Sequence, residues 1–364
     1  MGLIRFFLAL SVVFSHNGIH VPGIDGLLAV YAFFVISGFY MALVLNEKYQ
    51  DNIAGFYGAR FLRLWPSYIV VLLVVLLLIA PMSSAIYTST LAAVYTWTVN
   101  LTMFFYNTLG WFGIDSATGK LVFLATPEGG ASALLNAAHM PHIWSIGEEI
   151  SFYLLAPFIA RKPKTILAVL AMALLIHVAI MSDLYRLHPL QRYSGFNTFW
   201  LFLFGMTAYH GWKKYNASLA RMRLDALWCS IFGVGISMAC IIAAQKLWDH
   251  QILLCIPFAL FAACVIPLFH ATRASRVDKF VGELSYPIYL THWPVVAYLI
   301  VDHQGSWYWS FVIAGISIAC SIALYFCVDF HVEKIRRRLA RTPVGLAGAG
   351  VDSSHGEAPR PTAR

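Results

Sequence analysis

The sequence predicts an all-α protein, a polytopic integral membrane helical bundle of about ten transmembrane helices with both termini cytoplasmic. Three observations predict it. The 364-residue chain is 60% hydrophobic and 12% charged, with a mean hydropathy of +0.71, whereas soluble domains are about half apolar and about a quarter charged. Its apolar residues gather in runs close to the roughly 20 residues that a spanning helix needs. Its 25 Lys and Arg residues cluster between those runs, where they set topology. This composition excludes a soluble domain, a collagen, a disordered chain and a disulfide scaffold.

The first run, 3–21, follows Met1-Gly-Leu-Ile-Arg5 and has no Ala-x-Ala-like cleavage site before Pro22, so it reads as an uncleaved helix. Further runs follow near 27–45, 63–80, 88–106, 143–160, 165–181, 196–212, 225–244, 251–270, 284–301 and 307–330. Of these eleven, 88–106 is diluted by Thr88, Ser89, Thr90, Thr96, Thr98, Asn100 and Thr102, and is expected to lie in the interface. The other ten then place every basic cluster on one side: Arg5; Lys48, Arg60 and Arg63; Arg161, Lys162 and Lys164; Lys213, Lys214, Arg221 and Arg223; Arg273, Arg276 and Lys279; and the tail. The segment 82–142, with Gly110, Gly113, Gly119, Pro127 and Gly129-Gly130, becomes the main extracytoplasmic structure.

Residues 1–333 form one membrane domain, and 334–364 a basic tail. Seven Lys or Arg against Asp352 and Glu357 give that tail +5 of the formal +8. Such an excess beside a membrane helix faces anionic lipid, and no aromatic-interleaved basic fold accompanies it, so nucleic acid is not an expected partner. Residues 342–364 are expected to be disordered. The six cysteines lie in apolar stretches without CxxC spacing and read as small membrane-helix residues, not as metal ligands.

Ionisable groups inside spanning helices are costly, so those that remain mark candidate sites. Arg5 and His16 are eleven residues apart, three helical turns, and share one face about 16 Å apart along the axis. Glu149, in His142-Ile-Trp-Ser-Ile-Gly-Glu-Glu-Ile-Ser-Phe-Tyr153, falls at the depth of His16, where a carboxylate could fix the imidazole's tautomer. Glu148 points about 100° away, towards solvent in this reading. The plain alternatives are a histidine bonded for packing, and an ion pair that only joins two helices. Arg60 and Arg63, at i and i+3, present two guanidinium forks suited to phosphate, although positive-inside anchoring also explains them. Ser285 and His292 share a face of the ninth crossing, as do Tyr286 and Trp293. Aromatic belts explain the rings but not His292 in mid-membrane.

Together these segments resemble the acyltransferase 3 family of integral membrane acyltransferases, which includes bacterial O-acetyltransferases of surface polysaccharides. Arg5 with Leu8-Ala-Leu-Ser-Val-Val-Phe-Ser-His16 looks like its first-helix arginine and histidine, and Phe33-Phe-Val-Ile-Ser-Gly-Phe39 its second-helix signature. Arg60-Phe-Leu-Arg63 resembles its Arg-x-x-Arg element. Trp144-Ser-Ile-Gly-Glu-Glu149 with Tyr153 and Pro157 resembles its Trp-Ser-Leu-x-x-Glu run, and Ser285-Tyr-Pro-Ile-Tyr-Leu-Thr-His-Trp-Pro294 completes the set. The chain departs from the pattern at Tyr31-Ala32, where many members carry an acid, and at Glu333-Lys334, which lacks a proline often found nearby.

The resemblance implies acyl transfer, expected to be O-acetylation, from acyl-CoA to a hydroxyl of a glycan or lipid-linked sugar in the bacterial inner membrane. Acyl-CoA is then a substrate, and no bound cofactor or metal is expected. His16 and Glu149 are the expected catalytic pair, with His16 as general base. Arg5, Arg60 and Arg63 are expected to hold CoA, and Ser37, Trp144, Tyr153, Tyr286 and His292 to bind substrate. The competing class is a transporter or flippase, which also keeps Arg, His and Glu within the membrane, although no inverted repeat is evident.

Overall fold

The computed structural model describes residues 1–79, 84–115, 117–124, 131–138, 140–182, 197–222, 224–299 and 301–339. Pro127, Gly129-Gly130, Arg223 and the tail beyond Leu339 lie outside the described residues. In chain order the helices are α1 (Gly2–His16), α2 (Gly26–Glu47), α3 (Ile53–Val74), α4 (Thr90–Thr102), α5 (Leu134–Ala137), α6 (Trp144–Ile159) and α7 (Pro163–Met181). They continue with α8 (Phe199–Leu219), α9 (Ala226–Lys246), α10 (Cys255–Thr272), α11 (Arg276–Glu283), α12 (Ser285–Pro294), α13 (Trp307–Leu324) and α14 (Phe330–Leu339). Three π turns, Val75–Ile79, Val295–Leu299 and Tyr325–Asp329, extend α3, α12 and α13.

Among the described residues, six helical stretches are long and apolar enough to cross a membrane: Gly26–Glu47, Ile53–Ile79, Pro163–Met181, Ala226–Lys246, Trp248–Thr272 and Trp307–Arg336. The chain is therefore a helical membrane protein. α1, α6 and α12 are shorter, at 15, 16 and 10 residues. α4 has 13 residues, with Leu91, Val94 and Leu101 exposed and Thr96 and Asn100 buried.

Several helix starts follow the local sequence. Asp25 caps α2 by accepting from Leu28 N–H at 2.9 Å, Asn52 caps α3, Asp225 caps α9 and Ser306 caps α13. α1 instead takes its cap from a distant element: Asp278 on α11 accepts from the N–H groups of Gly2 at 2.7 Å and Leu3 at 3.0 Å.

The most extensive helix pair is α2 with α8. A Cβ on Gly38 would stand 1.9 Å from the Phe202 carbonyl oxygen, and one on Gly205 equally close to that of Val35. Only hydrogen fits at both positions, and this lets the backbones touch. Above that contact Phe202 stacks on Phe34 (4.5 Å, 25°) and on Phe152 of α6 (4.3 Å, 15°). Each stack contributes roughly 1 kcal/mol beyond its burial.

Between α4 and α6 the chain forms a feature that helical periodicity did not signal, a three-stranded antiparallel sheet. Its strands are β1 (Phe112–Asp115), β2 (Leu121–Phe123) and β3 (Ala131–Ala133), in the order β2-β1-β3. Asp115 closes the β1–β2 turn by accepting from the N–H groups of Thr118 and Ala117, which hold its carboxyl below the usual range.

The basic clusters gather at the opposite end. Lys48, Arg60, Arg63, Arg273, Lys279 and Arg336 line one mouth. Arg161 joins them through the Tyr49 carbonyl and Lys213 through Glu47 at 3.4 Å. The first residues of the basic tail are helical, in α14, which packs on α3.

Candidate active site

A cavity of about 440 Å³ opens at the basic end and runs between α1, α2, α3, α6, α10, α11 and α12. Seven of the side chains lining it are cationic and four are carboxylates. Two of the carboxylates are partnered to lining cations, Glu333 to Arg336 at 2.7 Å and Glu283 to Lys279 at 4.0 Å. Asp278 caps α1. Burial would raise its pKa, but the N–H groups of Gly2 and Leu3 and the amino terminus together hold it below the ordinary value. The remaining positive charge suits a polyanion.

Seven of the ten sequence-predicted site residues line this cavity: Arg5, Ser37, Arg60, Arg63, Glu149, Tyr153 and Tyr286. Arg60 is 7% exposed, its guanidinium lies 5.8 Å from the Phe56 ring centroid and 5.9 Å from that of Tyr153, and its Nε has no partner. A buried guanidinium with an unused donor is poised for an acceptor such as a phosphate oxygen. Tyr286 is held by donating to the Leu64 carbonyl at 2.7 Å. Trp144 backs the wall through an edge contact with Phe34.

Glu149 does not bond to His16. Its Oε1 accepts from Ser37 and from Tyr153, the latter at 2.5 Å. The expectation for Glu148 is reversed as well: it is the buried glutamate, 3% exposed, and accepts from Asn107 and Thr198. Equal depth on two helices leaves open how far apart and at what azimuth they stand, and here the neighbours of His16 come from α12.

The inner end of the cavity is formed by Ser145 and Tyr289, whose hydroxyls lie 2.7 Å apart. Tyr289 donates to the His142 carbonyl, so Ser145 donates to Tyr289. One turn beyond Tyr289 is His292, fully buried, with its Nδ1 2.8 Å from the Tyr289 carbonyl and its Nε2 3.2 Å from Nδ1 of His16. His16 Nδ1 is also 3.0 Å from the Val12 carbonyl.

Carbonyls only accept, so these contacts assign the protons. His292 carries its proton on Nδ1 and offers Nε2 as acceptor. His16 carries its proton on Nδ1, towards Val12 and His292. In the neutral ring the free lone pair is then on His16 Nε2. The tautomer-fixing role expected of Glu149 falls to the Val12 carbonyl and His292. Trp293 braces the pair, 5.2 Å from His16 and edge-on. Tyr289, Ser145 and His142 had no assigned role in the sequence. Tyr289, in the Ser285–Pro294 run, was the one within reach, since it lies three residues before His292 and therefore on the same side of the helix.

Comparison with known proteins places the chain in a family. The family profile described as "Acyltransferase domain" matches residues 1–327. O-acetyltransferase OatA from Staphylococcus aureus strains NCTC 8325 / PS 47, COL and MRSA252 is 24% identical over 325 residues, covering 81% of this chain and 50% of each relative. The chain thus spans about half the length of these curated relatives. No solved structure matches it. A match over residues 1–327, on a helical membrane frame that gathers the arginines, the glutamate and the histidine pair, shows that the chain belongs to the acyltransferase 3 family.

Proposed function

We propose that the protein is a membrane-embedded O-acetyltransferase that moves an acetyl group from acetyl-CoA to a hydroxyl of a glycan or lipid-linked sugar. The observation that carries this reading is a cationic cavity that closes one helical turn short of the His16–His292 pair. The CoA phosphates would rest at the mouth on Arg60 and Arg63, and the pantetheine arm would run past Arg5 towards Tyr289. Glu149, with its hydroxyl donors Ser37 and Tyr153, offsets part of the positive wall and keeps the donor exchangeable.

One turn beyond the inner end of the cavity, His16 Nε2 takes the proton of the acceptor hydroxyl as that oxygen attacks the thioester carbonyl. The carbon–sulfur bond then breaks, and the CoA sulfur leaves with the proton from the imidazolium, giving free thiol and the ester. Val12 O and His292 Nε2 accept from His16 Nδ1–H throughout, and these bonds strengthen when the ring is charged. The gathering of basic residues at the cavity mouth supports ten crossings with both ends cytoplasmic, in the bacterial inner membrane. The donor then enters from inside, and the acceptor approaches from the side of the sheet.

Membranes containing the protein should release free thiol from acetyl-CoA only when an acceptor saccharide is supplied, and His16→Ala should lower that rate at least about 100-fold without changing acetyl-CoA binding. Wild-type rates in the His16→Ala protein would remove the general-base role. Saccharide movement across the membrane with no thiol release would favour a flippase.

A further inference from the structure

A third imidazole adjoins the pair. His142, in the turn Pro141–Ile143 ahead of α6, is 2% exposed, and both of its ring nitrogens are buried without a hydrogen-bond partner. Its ring centroid lies 5.1 Å from that of His292 and 5.9 Å from that of Trp293, the same two rings that touch His16. The Leu290 and Tyr289 carbonyls are among its polar neighbours, but neither completes a bond to it. The Leu290 carbonyl has no N–H to receive from residue 294, which is proline. Among the described residues no three His, Cys, Asp or Glu side chains are placed to hold a metal, so these rings do not read as a ligand trio.

A buried imidazole with neither nitrogen bonded is unfavourable, and such groups in native structures point to water or a ligand. The backbone of His142 is fixed by the Tyr289 hydroxyl donating to its carbonyl, which positions the residue, while its ring nitrogens stay unused. A small ring rotation would let one nitrogen donate to the Leu290 carbonyl and leave the other as an acceptor facing the reaction centre.

We propose that His142 is an acceptor-binding residue, its free ring nitrogen receiving a second hydroxyl of the sugar whose reacting hydroxyl lies on His16. The inference rests on the acyl-transfer reading above and extends it: the acceptor is a polyol with a neighbouring hydroxyl, not a simple alcohol. Two hydrogen bonds, one to each histidine beside His292 and Trp293, would orient the attacking oxygen.

The test uses the full chain in membranes, acetyl-CoA as donor, and methyl glycosides of glucose, galactose, rhamnose and N-acetylglucosamine as acceptor probes, with thiol release as readout. His142→Phe keeps a ring and removes both nitrogens, and His142→Gln keeps polar atoms. The expected result is a rise of tenfold or more in the acceptor KM for His142→Phe, partial recovery in His142→Gln, and an acetyl-CoA KM within twofold of wild type in both. His142→Leu replaces the Phe variant if the latter does not fold. An acceptor KM within twofold of wild type in the apolar variant, or equal changes in both KM values, overturns the proposal while leaving acyl transfer intact. A wild-type protein that releases thiol with none of the four glycosides removes this assignment together with the sugar-acceptor reading beneath it.

Discussion

At the scale of single residues, the charge of the cavity wall rests on a few side chains. The Arg-x-x-Arg spacing of Arg60 and Arg63 put two forks on one helix side, and both line the cavity. A phosphate held by them predicts a graded series. Arg63→Ala should raise the acetyl-CoA KM about tenfold to a hundredfold, since hydrogen bonds to charged groups contribute about 1.5–3 kcal/mol. Arg63→Lys should fall between, because it keeps the charge and loses the fork. Equal KM values in the three proteins, measured by thiol release, would remove the phosphate assignment. His16 and Glu149 show where such reasoning stops. Rise per residue gives depth along one axis, whereas the partner of His16 was decided by how α12 sits beside α1. That placement brings His292 within 3.2 Å and sends Glu149 to Ser37 and Tyr153.

At the scale of elements, glycine pairs and caps decide which helices meet. Gly38→Ala would put a methyl 1.9 Å from the Phe202 carbonyl oxygen, so α2 and α8 must part. Such overpacking costs about 1–3 kcal/mol and should lower the thermal midpoint of the detergent-solubilised protein. Gly205→Ala should do the same, while Gly315→Ala, with nothing within 4 Å, should not. An unchanged midpoint in all three would contradict the close approach.

The Asp278 cap joins α11 to α1 and carries a pH signature. Its folded pKa lies below its ordinary value of 3.8, so its stabilisation is complete above that value and is lost as the pH falls through the folded pKa. Asp278→Asn should therefore cost about 1 kcal/mol at neutral pH and less in acid. A variant whose deficit is the same at pH 7 and pH 3 would show that the charge is irrelevant. Neither device was legible beforehand, because a tertiary cap leaves no local signature and a helix glycine does not name its neighbour.

At the scale of the whole molecule, the long apolar helices and the site helices overlap only in part: α2 and α3 are long and apolar and carry Ser37, Arg60 and Arg63. The six stretches that satisfy the length and hydropathy rule include neither α1, α6 nor α12, which carry Arg5, His16, Glu149 and His292. A helix surrounded by other helices need not match the lipid in length or apolarity, so the hydropathy rule favours the lipid-facing shell. The proposed orientation predicts that a cysteine at Thr118, exposed in the β1–β2 turn, reacts with an impermeant maleimide in intact cells. A cysteine at Lys162, exposed at the basic end, should react only after permeabilisation. The reverse pattern would invert the topology and the side from which the donor enters.

Composition and spacing by themselves determined that the solvent is lipid and that the chain is a helical membrane protein, and they singled out the few ionisable groups worth examining, because burying charge in hydrocarbon is too costly to be incidental. The tertiary structure decided which of those groups touch. It closed a cationic cavity on Tyr289 and Ser145, gave His16 its tautomer through Val12 and His292, and left His142 buried with unused nitrogens. Helical periodicity fixes the face and depth of a side chain. Its partner depends on distances between helices, which here are set by hydrogen-only contacts such as Gly38 to Phe202, and these exist only once the bundle is assembled.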